Sequence, residues 1–159
     1  MKVERILFPT DFSEGAQHAV HCAVDLAEHY KSKLYILHVV YDINQAVGMH
    51  IPHISSDEVF REMNDWAIKE INTCCIEEIR KLPDVEKKVL KGIPYEEILK
   101  FASDEKIDMI VMGTYGRVGL NRFIFGNTAE RVVRRAPCPV LTVKVPEHRG
   151  KPVRPITFR

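Results

Sequence analysis

Residues 108–144, DMIVMGTYGRVGLNRFIFGNTAERVVRRAPCPVLTVK, constrain the fold more tightly than any other stretch of the chain. An apolar run from Met109 to Met112 reads as a buried strand. It passes into a loop punctuated by Gly113, Gly116, Gly119 and Gly126, half of the chain's eight glycines. Asn127 or Thr128 then starts an amphipathic helix with Ala129, Val132, Val133 and Ala136 turned inward, until Pro137 and Pro139 end it. A second apolar strand, Val140 to Val145, follows. Glycines gathered where a strand gives way to a helix mark backbone that takes positive φ or comes close to a ligand, and the helix start offers free amides to an anion. The stretch reads as a phosphate cradle.

The rest of the chain supplies matching strands and helices. Residues 3–8, VERILF, form a buried strand stopped by Pro9. Ser13 with Gln17, or Asp11 with Glu14, caps a helix whose Ala16, Ala19, Val20, Ala23, Val24 and Ala27 recur at spacings of three and four. Residues 33–40, KLYILHVV, are too continuously apolar to have one wet face. Residues 42–56 lose the period and read as a long loop. A helix from Asp57 to Lys81 follows, capped by Ser55 or Ser56, with Phe60, Met63, Ala67, Ile71 and Cys74 along one side. Ile68, Cys75, Ile79 and Leu82 broaden that side, and Met63 and Trp66 are assigned to the core. Pro83-Asp84 ends this helix, VEKKVLKG alternates as a strand, and Pro94 opens a helix bearing Ile98, Leu99 and Ala102.

Five strands alternating with four helices argue for an α/β fold: an open, five-stranded, doubly wound parallel sheet of Rossmann-like kind. In such sheets ligands bind beyond the carboxyl ends of the strands, where strand order reverses. Asp11 follows the first strand, Val39 and Val40 end the second, and Gly113 ends the fourth, so three strand ends converge on one crevice.

With 159 residues, 45% of them hydrophobic and 28% charged, the chain suits a single globular domain. The domain is expected over residues 1–146, with 147–159 as a polar tail containing Pro and Arg. A net charge of +1 gives no global field for nucleic acid or a membrane surface, and Arg131, Arg134 and Arg135 read as a solvated face. No apolar run approaches a membrane span, and the opening MKVERILFPTDF is too short and too broken for a signal peptide, so a cytosolic chain is expected. Cys22 and Cys138 fall in predicted elements and Cys74 and Cys75 are adjacent on a helix. Buried free thiols are the reading, with a redox-sensing vicinal pair as its rival. His18 and His21 lie one helical turn apart and His50 and His53 share the long loop, but no Cys, Asp or Glu pattern completes a metal site around them.

Neither common phosphate fingerprint fits. Asn127, not lysine, follows Gly126, and the pair Gly113 and Gly116 is too widely spaced for the dinucleotide pattern. What stands is G-x-x-G, nine residues, then G-N-T, preceded at the start of the chain by KVERILFPTDFSEGAQHAV. Together these motifs resemble the universal stress protein family, over Val3 to Val145. Its nucleotide-binding members carry G-x-x-G, nine residues, then G followed by Ser or Thr.

The resemblance implies ATP or another adenine nucleotide as ligand. Pro9, Thr10 and Asp11 would lie near base and ribose, Val39 or Val40 beside adenine, and Met112 and Gly113 near the nucleoside. Gly116, Gly119, Gly126, Asn127 and Thr128 would meet the phosphates, with Arg117 and Arg122 neutralising charge. Asp11 would accept from a ribose hydroxyl or hold a hydrated Mg ion. A homodimer through Val140–Val145 is implied as well. Asn127 departs from the pattern: it lacks the hydroxyl, although its amide can donate and Thr128 offers a hydroxyl one position later.

The same residues admit a structural role, with the glycines shaping a tight loop and Asp11 capping the first helix. No G-x-S-x-G anchor, paired carboxylates or loop lysine supplies catalytic machinery, so the residues favour a binder over a catalyst. A nucleotide-responsive regulator in stress response is the leading expectation. A stress-linked interaction protein without nucleotide and a slow ATP hydrolase are the alternatives.

Overall fold

β1 (Arg5–Pro9) is buried along almost its whole length because it has a parallel neighbour on each side. The computed structural model describes residues 2–42, 56–114 and 126–145. After β1 come α1 (Glu14–Tyr30), β2 (Lys33–Tyr41), α2 (Ser56–Thr73) and α3 (Ile76–Ile79). β3 (Val85–Gly92), α4 (Pro94–Asp104), β4 (Met109–Gly113), α5 (Asn127–Arg135) and β5 (Val140–Val143) complete the order. The strands form one parallel sheet in the order β3-β2-β1-β4-β5, so the order reverses between β1 and β4. This is the expected open, doubly wound α/β sheet.

Successive strand residues point to opposite faces, and each face buries its own layer. Ile6, Phe8, Leu34, Ile36 and Val111 pack against the alanine face of α1 and against Ile71 of α2. Leu7, Tyr35, Leu37, Ile110 and Met112 pack against Ile98, Phe101 and Ala102 of α4 and Ala129 and Val132 of α5. Full burial of each large aliphatic side chain contributes about 1.5–3 kcal/mol, so the strands are apolar on both faces rather than alternating.

Local chemistry sets the ends of α1. Ser13 is its cap, its Oγ accepting from the Ala16 amide at 3.3 Å, and Lys31 ends the helix with a left-handed φ of 56°. The Ser32 hydroxyl then donates to the Val3 carbonyl at 2.6 Å, fastening the turn beneath β1. At the same end of the sheet, Asp108 Oδ2 accepts from the amides of Glu4 and Arg5 at 2.8 and 2.9 Å, which fastens the start of β4 to the start of β1.

Several expectations are corrected. The helix anticipated over 57–81 stops at Thr73, whose hydroxyl donates back to the carbonyls of Lys69 and Glu70 at 3.0 and 3.2 Å. Cys75 takes a φ of 60°, which no right-handed helix continues, and α3 restarts beyond it. Ala67 and Ile71 fill the core side of α2, whereas Met63 and Trp66 are 44% and 40% exposed and Ile68 is exposed too. Val133 is exposed rather than inward, and the last strand ends at Val143 instead of Val145. The four thiols are half-buried, not buried. The loop expected over 42–56 and the tail lie almost wholly outside the described residues.

Gly113 is where sheet and helix come closest. A Cβ added there would lie 2.7 Å from the Gly15 carbonyl oxygen and 3.2 Å from the Ala16 amide nitrogen. Gly113→Ala is expected to destabilise the fold by about 1–3 kcal/mol, as overpacking against fixed backbone does. Urea unfolding measures this, and an unchanged midpoint would show that α1 moves aside freely.

Candidate functional site

Pro9 closes β1 and Gly113 closes β4, so the reversal point of the sheet is framed by the two segments that follow these residues. Beyond Pro9, the Thr10 amide donates across to the Leu37 carbonyl at 2.8 Å. Thr10 Oγ1 accepts from the Phe12 amide at 3.1 Å, and Asp11 Oδ1 accepts from the amide and hydroxyl of Ser13 at 3.1 and 2.5 Å. Two side-chain turns in succession leave Phe12 in the left-handed region, with φ 61°. That conformation costs about 1–2 kcal/mol for a residue with a side chain.

Stacking offsets the cost. The Phe12 ring lies 4.5 Å from the His38 ring at an interplanar angle of 27°, and Trp66 meets both rings edge-on, at 5.6 and 6.2 Å. His38, 8% exposed, places Nδ1 2.8 Å from the Thr10 carbonyl. A carbonyl only accepts, so Nδ1 carries the proton. Sequence reasoning missed this cluster, although His38 is the one ionisable imidazole inside the otherwise apolar and aromatic run LYILHVV and was visible as such.

The second segment is held at both ends of its loop. Thr114, 1% exposed, donates its amide to the Val143 carbonyl at 3.1 Å, and the Gly126 amide donates to the Thr114 carbonyl at 2.9 Å. That last bond brings the start of α5 to the end of β4. Gly126 is the cap residue of α5 and supplies no side-chain acceptor to its first-turn amides. Its φ of −61° and ψ of 146° suit any residue, so glycine is not required there by conformation. Asn127 Oδ1 accepts from Arg131 Nε at 2.9 Å, and the Arg131 guanidinium lies 4.5 Å from the centre of the Tyr95 ring. The Asn127 amide thus commits its oxygen and keeps its NH2 as the donor.

Pro9, Thr10, Asp11, Met112 and Gly113 accordingly sit at adjoining strand ends, with Gly126, Asn127 and Thr128 tied to them through Thr114. Met112 is buried in the layer beneath α4 and α5, and the neighbouring side chains Val39 and Val40 point to opposite faces. Gly113 is occupied from one side by α1, which gives it a packing role. Gly116, Arg117, Gly119 and Arg122 lie outside the described residues, as do His50 and His53. His18 and His21 are exposed on α1, and no group of three side chains able to hold a metal occurs among the described residues. Among them, too, no helix is long and apolar enough to cross a membrane.

Comparison with known proteins bears on this arrangement. A family model described as the universal stress protein family matches residues 2–144. A universal stress protein of Methanocaldococcus jannaschii is 35% identical over 149 residues, covering 91% of this chain and 84% of that protein. The solved structure of universal stress protein UspA from Lactobacillus plantarum superposes with a TM-score of 0.80 at 28% identity, covering 91% of this chain and 99% of the other. The universal stress protein from Archaeoglobus fulgidus, solved in complex with dAMP, has the same fold, with a TM-score of 0.57 at 23% identity over 91% of this chain and 100% of that one.

Replacing His38 by leucine removes both the hydrogen bond to Thr10 and the stack that holds Phe12. The variant is expected to lose about 1–3 kcal/mol of stability, the cost of leaving a buried acceptor unpaired. Trp66 is the only tryptophan of the chain, so its fluorescence reports both the unfolding midpoint and the altered ring packing. Identical emission and midpoint would show that the cluster contributes nothing to the turn.

Proposed function

We propose a function for a chain that belongs to the universal stress protein family: it binds ATP at the reversal point of its sheet and acts as a nucleotide-responsive regulator in stress response. The observation that carries this reading is the bond from the Gly126 amide to the Thr114 carbonyl. It sets the first turn of α5, whose cap residue has no side chain, beside the ends of β1 and β4, where amides and helix dipole favour a phosphate. The adenine nucleotide held by the Archaeoglobus fulgidus protein supports the choice of ligand class.

In this reading adenosine lies by Pro9, Thr10, Asp11, Val39 or Val40, Met112 and Gly113, and the phosphates meet Gly116, Arg117, Gly119, Gly126, Asn127 and Thr128. Asn127 suits the task despite lacking a hydroxyl, because Arg131 takes its oxygen and the NH2 remains to donate. Magnesium would arrive on the triphosphate and meet Asp11 through water, since Asp11 Oδ1 already serves Ser13 and the described residues offer no metal cage.

Two copies pair through β5. It is an edge strand, and Leu141 on it and Val133 on the adjoining helix are exposed apolar side chains that pairing would cover. The domain ends near residue 146 and the tail follows it. The protein works in the cytosol.

Calorimetry with Mg-ATP, after any bound nucleotide has been stripped, is expected to show one saturable site per chain. Gly126→Asp is expected to abolish it while keeping the fold, because aspartate is a favoured helix cap at these backbone angles and brings a negative charge to the phosphate position. Absence of heat from the wild type at two temperatures would replace this reading with a nucleotide-free interaction protein. Sedimentation at micromolar concentration is expected to give a dimer, and charged substitution of Leu141 a monomer; a monomeric wild type would remove β5 as the interface.

A further inference from the structure

The break between α2 and α3 gathers chemistry that the nucleotide reading does not use. On a continuous helix, adjacent side chains diverge, but the left-handed backbone of Cys75 brings its Sγ within 2.8 Å of Cys74 Sγ. Both thiols are half-buried, and Cys75 packs with Ile79 against the core cluster that holds Ile71 and Leu82. From β3, the Lys87 ammonium donates to the carbonyls of Asn72 and Cys74 at 3.1 and 3.4 Å and clamps the turn. We propose that Cys74 and Cys75 are a bidentate site for trivalent arsenicals, bound through both sulfurs.

Geometry selects this class of ligand over its rivals. A disulfide between neighbours is strained, because consecutive Cα atoms are about 3.8 Å apart and ordinary disulfides need about 4.4 Å or more. A tetrahedral zinc site needs further ligands, and no group of three candidate side chains exists among the described residues. With bonds of about 2.3 Å to sulfur, a tetrahedral centre holds two sulfurs about 3.8 Å apart and a linear cuprous one about 4.6 Å apart. A pyramidal trivalent centre, with an angle of about 95°, holds them about 3.4 Å apart, so of the three it asks the smallest separation of sulfurs that stand 2.8 Å apart. Charge points the same way. A cuprous ion on two thiolates is an anion, whereas an arsenic bearing two thiolates and one hydroxyl or carbon substituent is neutral and suits a half-buried apolar turn.

The reaction is ligand exchange without redox change. Each thiol gives up its proton to an arsenic-bound hydroxide, an As–S bond replaces each As–O bond, and two waters leave. The hydrogen bond shared with Cys75, aided by Lys87, holds the Cys74 thiol below its ordinary range. The same hydrogen bond, together with burial, pushes the Cys75 thiol up.

The full chain, reduced with a phosphine, is titrated with phenylarsine oxide and followed by intact mass. One adduct per chain is expected, stable to excess monothiol and removed by dithiothreitol. Cys74→Ser and Cys75→Ser, and equally the alanine variants, should each bind about 100-fold or more weakly, since the second sulfur acts at high effective concentration. A Cys22→Ser, Cys138→Ser double variant should bind as the wild type does. The proposal is overturned if the wild type takes no adduct, if monothiol removes it, or if either single variant with an unchanged circular dichroism spectrum binds at full affinity.

Discussion

The approach of α1 to the end of β4 sets the geometry of the whole carboxyl edge of the sheet. Gly113 leaves no room for a side chain between itself and the Gly15 carbonyl, so the first turn of α1 rests on strand backbone. Ser13 caps that turn, and Asp11 in turn holds Ser13, so a shift of α1 would pull the segment from Thr10 to Ser13 with it. The alanine face continues the same close packing along the helix. The position of the carboxyl edge is thus a consequence of small residues packed between α1 and the sheet.

Much of this was legible in the chain because a parallel sheet buried on both faces writes itself as apolar runs. VERILF, KLYILHVV and MIVM needed no partner to be recognised, and the alanine spacing of α1 pointed to close helix packing. The end of α2 was not legible. Thr73, Cys74 and Cys75 carry neither glycine nor proline, and the left-handed turn at Cys75 is imposed by packing against the core rather than by residue preference. Trp66 misled for a related reason: size argued for burial, but its place on α2 aims it at Phe12 and His38 at the sheet's edge.

Asn127 shows how a sequence departure changes meaning once geometry is known. Compared with a motif, it is a missing hydroxyl. In the fold it is the N-terminal member of a pair four residues apart on α5, and Arg131 bridges from it to the face of Tyr95 on α4. The start of α5 is thereby braced against α4 as well as hung from Thr114. The i,i+4 spacing of Asn127 and Arg131 could be read from the chain, but the ring beneath the guanidinium could not.

The central place of β1 has a consequence for the chain as it emerges from the ribosome. β2 pairs with both β1 and β3, and the three can assemble once Gly92 has been made. The other edge of β1 pairs only with β4, and the Glu4 and Arg5 amides wait for Asp108. Through the synthesis of α4, the half-built sheet therefore carries an apolar strand open along one side, the form of backbone that recruits foreign strands. A nascent chain of this kind is adhesive from mid-length onward: arrival of β4 covers β1 but moves the open apolar edge out to β4 itself, and only the short β5 closes it.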